Sequence, residues 1–175
     1  MSYFDELERL LKDYDWKPNK HNNTTMMRKG ELSVSVGYTC HWNKPGKPFL
    51  PSQLMRKDPR IYHECKRLFP DFDFQMVVIN KNFKSPPHKD INNTQKSLIV
   101  GLGDYNGGDL CIEDPETKEV EEHCILYSPL YFDGKNSLHW VNDWKGDRYS
   151  VILGNSKFRS HRADSVIPNV NKTEN

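Results

Sequence analysis

His88 and Asp90 stand one residue apart in "PPHKD", His139 follows well downstream in "SLHWVN", and Arg148 and Ser150 share the later run "GDRYSVILG". Two histidines and one carboxylate can occupy one face of an octahedral Fe(II), leaving the opposite positions open for a bidentate co-substrate and dioxygen. Spaced by two on an extended segment, His88 and Asp90 point to the same face. A third ligand from a distant strand converges on them at the mouth of a barrel. Arg148 carries a planar fork that pairs with a carboxylate better than lysine does, and Ser150 adds a donor on the same strand face. Each residue also has a plainer reading. His88 and Asp90 can form a surface pair, His139 can be a satisfied core histidine, and Arg148 can be a surface charge, since an HxD pattern recurs by chance. Taken together and in order, the set favours the metal.

The elements around these residues divide the chain in two. Tyr3, Phe4, Leu7, Leu10 and Leu11 recur at helical spacing and predict an amphipathic helix. Residues 16–29 read as a loop, "ELSVSVGYT" as a strand, and the prolines from Pro45 to Pro51 as an irregular stretch. A second helix is expected over residues 59–69, with Asp58 as its N-cap and Pro70 closing it. From "FQMVVINKN" onward come short β-rich runs, separated by turn-type clusters such as "DYNGG", "DPET" and "DWKGD". Gly107 and Gly108 read as a hairpin turn needing positive φ. The fold class expected is mainly β with N-terminal helices (α+β): a sandwich or distorted barrel flanked by helices. One domain is expected over residues 1–162, with helical support to about residue 70, a β core over about 74–155, and a frayed tail over 163–175.

The composition is 35% hydrophobic and 28% charged with a net charge of +1, which fits a folded protein and supplies no global field for nucleic acid. The charge is uneven: residues 1–70 hold 13 Lys/Arg against 8 Asp/Glu, whereas residues 104–125 hold 8 acidic residues against Lys118. Four cysteines without a CxxC pair read as reduced thiols. The charged N-terminus lacks a signal-peptide pattern, and no apolar run approaches the ~20 residues needed to span a bilayer. An intracellular protein of nucleus or cytoplasm is expected, with no membrane and no obligate protein partner.

Residues Phe74 to Gly154 resemble the Fe(II)/2-oxoglutarate-dependent oxygenases, which are built on a double-stranded β-helix of the jelly-roll, cupin-like kind. The resemblance implies His88, Asp90 and His139 as iron ligands and Arg148 as the partner of the distal carboxylate of 2-oxoglutarate, assisted by Ser150. It makes Asn80 and Asn82, in "INKNF", candidates for a further co-substrate contact. The cofactors implied are Fe(II), 2-oxoglutarate and dioxygen. More narrowly, "HKDINNTQKSLIV", "GDYNGGDL" and "YFDG…HW…GDRYSVI" resemble the TET/JBP branch and its small algal and viral members. That branch oxidises the 5-methyl group of pyrimidines in DNA, here 5-methylcytosine or thymine. DNA is then the implied partner.

The same resemblance makes Asn93 a base-contacting residue, because an amide both donates and accepts at a base edge. "DINNTQ" is also good turn chemistry, which leaves both readings of Asn93 open. His41, in "YTCHWNKPGKP", is a second candidate substrate contact, on a loop whose Lys44 and Lys47 face either phosphate or solvent. The chain departs from the branch in having no cysteine-rich DNA-binding region, no base-J-binding domain and no basic stripe. Other readings of the same iron site are a protein side-chain or small-molecule hydroxylase and an AlkB-like N-demethylase. An inactive barrel-fold binding module is the non-enzyme alternative.

Overall fold

The computed structural model describes residues 3–18, 32–39 and 49–157. Helix α1 (Asp5–Asp13) buries Leu7, Leu10 and Leu11, and its first turn is acidic with Lys12 in its last, as the helix dipole favours. Strand β1 (Leu32–Thr39) is followed by the two-residue strand β2 (Leu50–Pro51). A short helix, α2 (Gln53–Lys57), lies between the proline-rich stretch and the second expected helix. Ser52 starts it, its hydroxyl accepting from the Met55 N–H at 3.1 Å. Helix α3 (Arg60–Leu68) buries Ile61, Tyr62, Cys65 and Leu68 along one face. Pro59 holds its N-cap position, and Asp58 acts one residue earlier, accepting from the Arg60 N–H at 3.2 Å.

The β core is then built from β3 (Met76–Lys81), β4 (Ser97–Gly107), β5 (Leu110–Glu113), β6 (Val120–His123), β7 (Leu130–Phe132), β8 (Leu138–Val141) and β9 (Trp144–Gly154). Together with β1 and β2 they form a six-stranded sheet, ordered β2-β1-β3-β9-β4-β7, and a three-stranded sheet, β6-β5-β8, with every pair among these strands antiparallel.

The two faces of the large sheet go to different neighbours, and the period-2 rule decides which residue goes where. Val77 and Ile79 of β3, Leu98, Val100 and Leu102 of β4, and Tyr149, Val151 and Leu153 of β9 pack with α1 and α3. The opposite parity faces the small sheet, where Ile99 and Ile152 meet Leu110 and Val141, with Phe132 of β7 in the same cluster. Arg148 and Ser150 share the parity of Ile152, so β9 turns them inward.

Two turn-type clusters are not turns. Residues 104–107 of "DYNGG" and 144–147 of "DWKGD" lie within β4 and β9 and pair with each other, from Asp104↔Asp147 to Gly107↔Trp144. Gly103, Gly107 and Gly146 take positive φ there, which lets glycine-rich chain stay in register. Gly107 and Gly108 therefore make no hairpin; the chain leaves the large sheet at Gly108 and enters the small one at Leu110.

Candidate metal centre

His88 sits on the segment between β3 and β4 and pairs with His139 of β8 in an isolated antiparallel bridge, each N–H donating to the other's carbonyl at 3.0 Å. The expected strand bearing both His88 and Asp90 is thus a single bridge followed by a turn. Asp90 is held by its N–H to the Gly134 carbonyl (2.8 Å) and by the Asn93 N–H to its own carbonyl (2.9 Å). The outcome is still convergence. His88 Nε2 lies 3.6 Å from Asp90 Oδ1, His139 Nε2 lies 3.7 Å from Asp90 Oδ2, and the three ligand atoms fall within 4.8 Å of one another. Adjacent ligand atoms around an octahedral ion with ~2.1 Å bonds are about 3 Å apart, so small side-chain rotations close the set on a metal.

The two imidazoles are prepared for that role by their far nitrogens. His88 Nδ1 bonds the Pro86 carbonyl at 2.8 Å with Ser85 Oγ at 3.1 Å, and His139 Nδ1 bonds the Ser137 carbonyl at 3.1 Å. A carbonyl only accepts, so Nδ1 carries the proton in each ring and the Nε2 lone pair faces Asp90. Burial, together with the neighbouring His88, pushes the His139 pKa down against the pull of Asp90. A neutral imidazole is the form that binds a metal.

Arg148 is 1% exposed, and its Nε and Nη2 have no hydrogen-bond partner among the described residues. The rings of Tyr105 and Trp144 each lie 5.5 Å from its guanidinium carbon. Gly108 closes the nest, because a Cβ there would approach Nε to 2.9 Å. Burial lowers the Arg148 pKa, with Tyr105 and Asp109 opposing. The Tyr105 hydroxyl is itself buried without a partner in hydrogen-bond geometry among the described residues, and burial raises its pKa, so it stays a phenol. Unpaired buried cations and hydroxyls are rare in native proteins because each is costly to desolvate. A carboxylate supplies the acceptors that this nest lacks.

A cavity of about 200 Å³ opens on the three ligands, and Asn80, Asn93 and Ser150 help line it. Asn80 Nδ2 donates to Ser150 Oγ at 3.4 Å, which leaves the serine proton free to donate. The cavity ends short of Arg148, two residues back along β9. Asn82 does not line it either. Its left-handed backbone (φ 51°) turns the amide toward the start of β9, where it donates to Asp147 Oδ1 (2.9 Å) and accepts from the Arg148 N–H (2.7 Å). Of the two asparagines expected near the co-substrate, only Asn80 is at the cavity. His41 lies outside the described residues, as do Lys44, Lys47 and the basic residues Arg159 and Arg162.

Sequence reasoning missed Tyr105 and Gly134. A Cβ at Gly134 would lie 3.1 Å from Asp90 Oδ2 and 3.2 Å from His139 Cε1, so the backbone there is pressed against two ligands. Tyr105 left a signal in "GLGDY". Gly101, Gly103 and Tyr105 share one strand face, and a Cβ at Gly101 would collide with the tyrosine hydroxyl.

Neither a family model nor a curated protein matches the sequence. Solved structures do match. An oxidoreductase of the 2OG-Fe(II) oxygenase family from Burkholderia pseudomallei superposes with a TM-score of 0.56 at 13% identity, covering 87% of this chain and 77% of that one. The fold is the 2OG-Fe(II) oxygenase jelly roll. A bsmA homologue from Methylobium petroleophilum PM1 superposes at 0.50 with 11% identity, over 93% of this chain and 83% of that one. NgTET1 in complex with 5mC DNA reaches 0.49 at 12% identity, over 76% and 62% of the respective chains, a likeness that distinguishes no branch of the fold.

Proposed function

We propose that the chain is an Fe(II)- and 2-oxoglutarate-dependent dioxygenase that hydroxylates the 5-methyl group of a pyrimidine in DNA. The oxygenase reading is carried by one observation: a buried guanidinium with donors unpaired among the described residues stands on β9, whose Ser150 and Ile152 line the cavity of a converged His/Asp/His set. In this reading His88, Asp90 and His139 hold the iron. Arg148 takes the far carboxylate of 2-oxoglutarate, with the hydroxyls of Tyr105 and Ser150 and the amide of Asn80 as further polar partners. Bound iron, 2-oxoglutarate and dioxygen supply an oxidative decarboxylation coupled to hydroxylation of a C–H bond.

The protein's share is positional. The carbonyls of Pro86 and Ser137 hold the imidazole tautomers, and the Gly134 carbonyl holds the Asp90 backbone. Phe132, whose ring meets His139 edge-on at 5.0 Å, and Ile152 give the cavity an apolar wall that excludes water. The DNA reading is supported by Asn93 and Lys89 in the cavity lining: an amide suits a base edge, and a cation suits a phosphate. A methyl inside a duplex cannot enter such a recess, so double-stranded substrate requires the base turned out and a single strand does not.

The test is mass spectrometry of nucleosides from methylated and unmethylated DNA incubated with protein, Fe(II), ascorbate and 2-oxoglutarate, with succinate followed in parallel. A hydroxymethyl pyrimidine that disappears in His88→Ala is the expected result. Succinate without a modified nucleoside would keep the oxygenase and move its substrate to protein side chains, RNA or small metabolites. Loss of both products would overturn the reading in favour of a binding module.

A further inference from the structure

Asn155 follows the last residue of β9 and is 9% exposed. The ladder between β3 and β9 ends at Met76↔Gly154, so the next pair in register would join the backbones of Gln75 and Asn155. The asparagine side chain takes that place instead. Its Oδ1 accepts from the Gln75 N–H at 2.6 Å, whereas the Gly154 carbonyl is 3.3 Å from the same donor. Its Nδ2 donates to the Asp73 carbonyl at 3.2 Å. A backbone N–H only donates and a carbonyl only accepts, so one orientation of the amide satisfies both. With β3 held by a side chain, the main chain after Gly154 leaves the sheet and pairs elsewhere. The Asn155 carbonyl accepts from the Thr94 N–H at 3.0 Å, Ser156 bridges Asn93, and the Lys157 N–H donates to the Asn92 carbonyl at 3.0 Å. What it meets is the turn that follows Asp90.

That turn braces the ligand most in need of it. The side chain of Asp90 is 35% exposed, against 10% for His88 and 5% for His139, and both imidazoles are already fixed through Nδ1. Within the turn, Asn93 Nδ2 donates to Asp90 Oδ2 at 3.4 Å and to Ser97 Oγ at 3.0 Å, which commits both amide protons. Gln95 Nε2 donates to the Asp73 carbonyl at 2.6 Å, so the turn and Asn155 share an anchor at the start of β3. We infer that Asn155 is a positioning residue for the metal centre: it peels the end of β9 off β3 onto residues 92–94, and through Asn93 it fixes where Asp90 Oδ2 stands. The inference rests on His88, Asp90 and His139 holding a metal and is independent of the substrate. A ligand carried on a turn has no ladder of its own to hold it, and outer hydrogen bonds then set its direction.

Calorimetric titration of the whole metal-free chain with Co(II) provides the test, on the wild type, Asn155→Ala, Asn93→Ala and the double variant, with far-ultraviolet dichroism and thermal melts recording the fold. Asn155→Ala is expected to weaken Co(II) binding about tenfold, the scale of groups that orient metal ligands. Residues acting in series are not additive, so the double variant should bind about as well as the weaker single variant. Asn155→Asp keeps the size of the side chain and the acceptor for Gln75 but sets an oxygen against the Asp73 carbonyl. It should lose about the same factor, and it carries the test if the alanine variant does not fold. Folded Asn155 variants that bind Co(II) as the wild type does, with only the melting temperature lowered, overturn the inference and leave Asn155 a stabiliser of the fold. Losses that add in the double variant overturn the route through Asn93. If the wild type does not bind Co(II), or His88→Ala binds it equally well, the metal centre itself falls and takes the inference with it.

Discussion

Replacing Arg148 with methionine should make the ligand-free protein more stable and the ligand-bound protein less so. Methionine keeps an unbranched apolar stem in a site that is 1% exposed and removes two donors, Nε and Nη2, that have no partner among the described residues. Each unsatisfied buried donor costs about 1–3 kcal/mol, so removing both relieves about 2–6 kcal/mol. Against this stand the contacts of the guanidinium with Tyr105 and Trp144, roughly 0.5–2 kcal/mol each. At the central values, about 4 kcal/mol relieved against about 2.5 kcal/mol lost, the net is a stabilisation of about 1.5 kcal/mol, in the range found when buried charges give way to apolar residues. For a chain of this size that raises Tm by roughly 3–6 °C.

Saturating 2-oxoglutarate, with Fe(II) under anaerobic conditions, should reverse the order. At a hundred times Kd a ligand adds about 2.7 kcal/mol to the wild type, whereas the variant has lost the guanidinium proposed to take the far carboxylate. Thermal melts followed by circular dichroism, with and without 2-oxoglutarate, read both halves. A ligand-free variant that melts below the wild type would refute the claim that Arg148 is an uncompensated charge. Equal protection of both proteins by 2-oxoglutarate would refute its assignment to the carboxylate.

Gly134→Ala should weaken divalent-metal binding about tenfold to a hundredfold by crowding Asp90 Oδ2 and His139; titration calorimetry with Co(II) measures it, with far-ultraviolet dichroism checking the fold. Asn82→Ala removes the amide that caps Asp147 and the Arg148 N–H and puts alanine in a left-handed position, and it should cost about 1–3 kcal/mol in urea melts. Burial pushes Glu8 up, but Lys12 and the Tyr127 hydroxyl outweigh it and hold the carboxyl below its ordinary range. Its contribution is therefore full above about pH 4.3 and lost as pH falls through the depressed value. The stability advantage of the wild type over Glu8→Gln should shrink in melts taken from pH 6 down to pH 3.

The sequence by itself determined the His/Asp/His group that converges, the approximate order of helices and strands, and the parity that sends Arg148 and Ser150 to one face. These are local properties: a histidine, a carboxylate and an alternation of apolar residues are visible within a few positions of one another. Even the errors were local. "DYNGG" and "DWKGD" have the composition of turns, and only their pairing across β4 and β9 makes them strands. The tertiary structure alone decided what each side chain meets. It put Asp90 on a turn rather than a strand, turned Asn82 away from the cavity, set Tyr105 and Trp144 around Arg148, and committed both protons of Asn93 to Asp90 and Ser97. Partners of this kind come from register between segments far apart in the chain. A pattern read along one strand records which face a residue takes and carries no information about which atom waits on the other side.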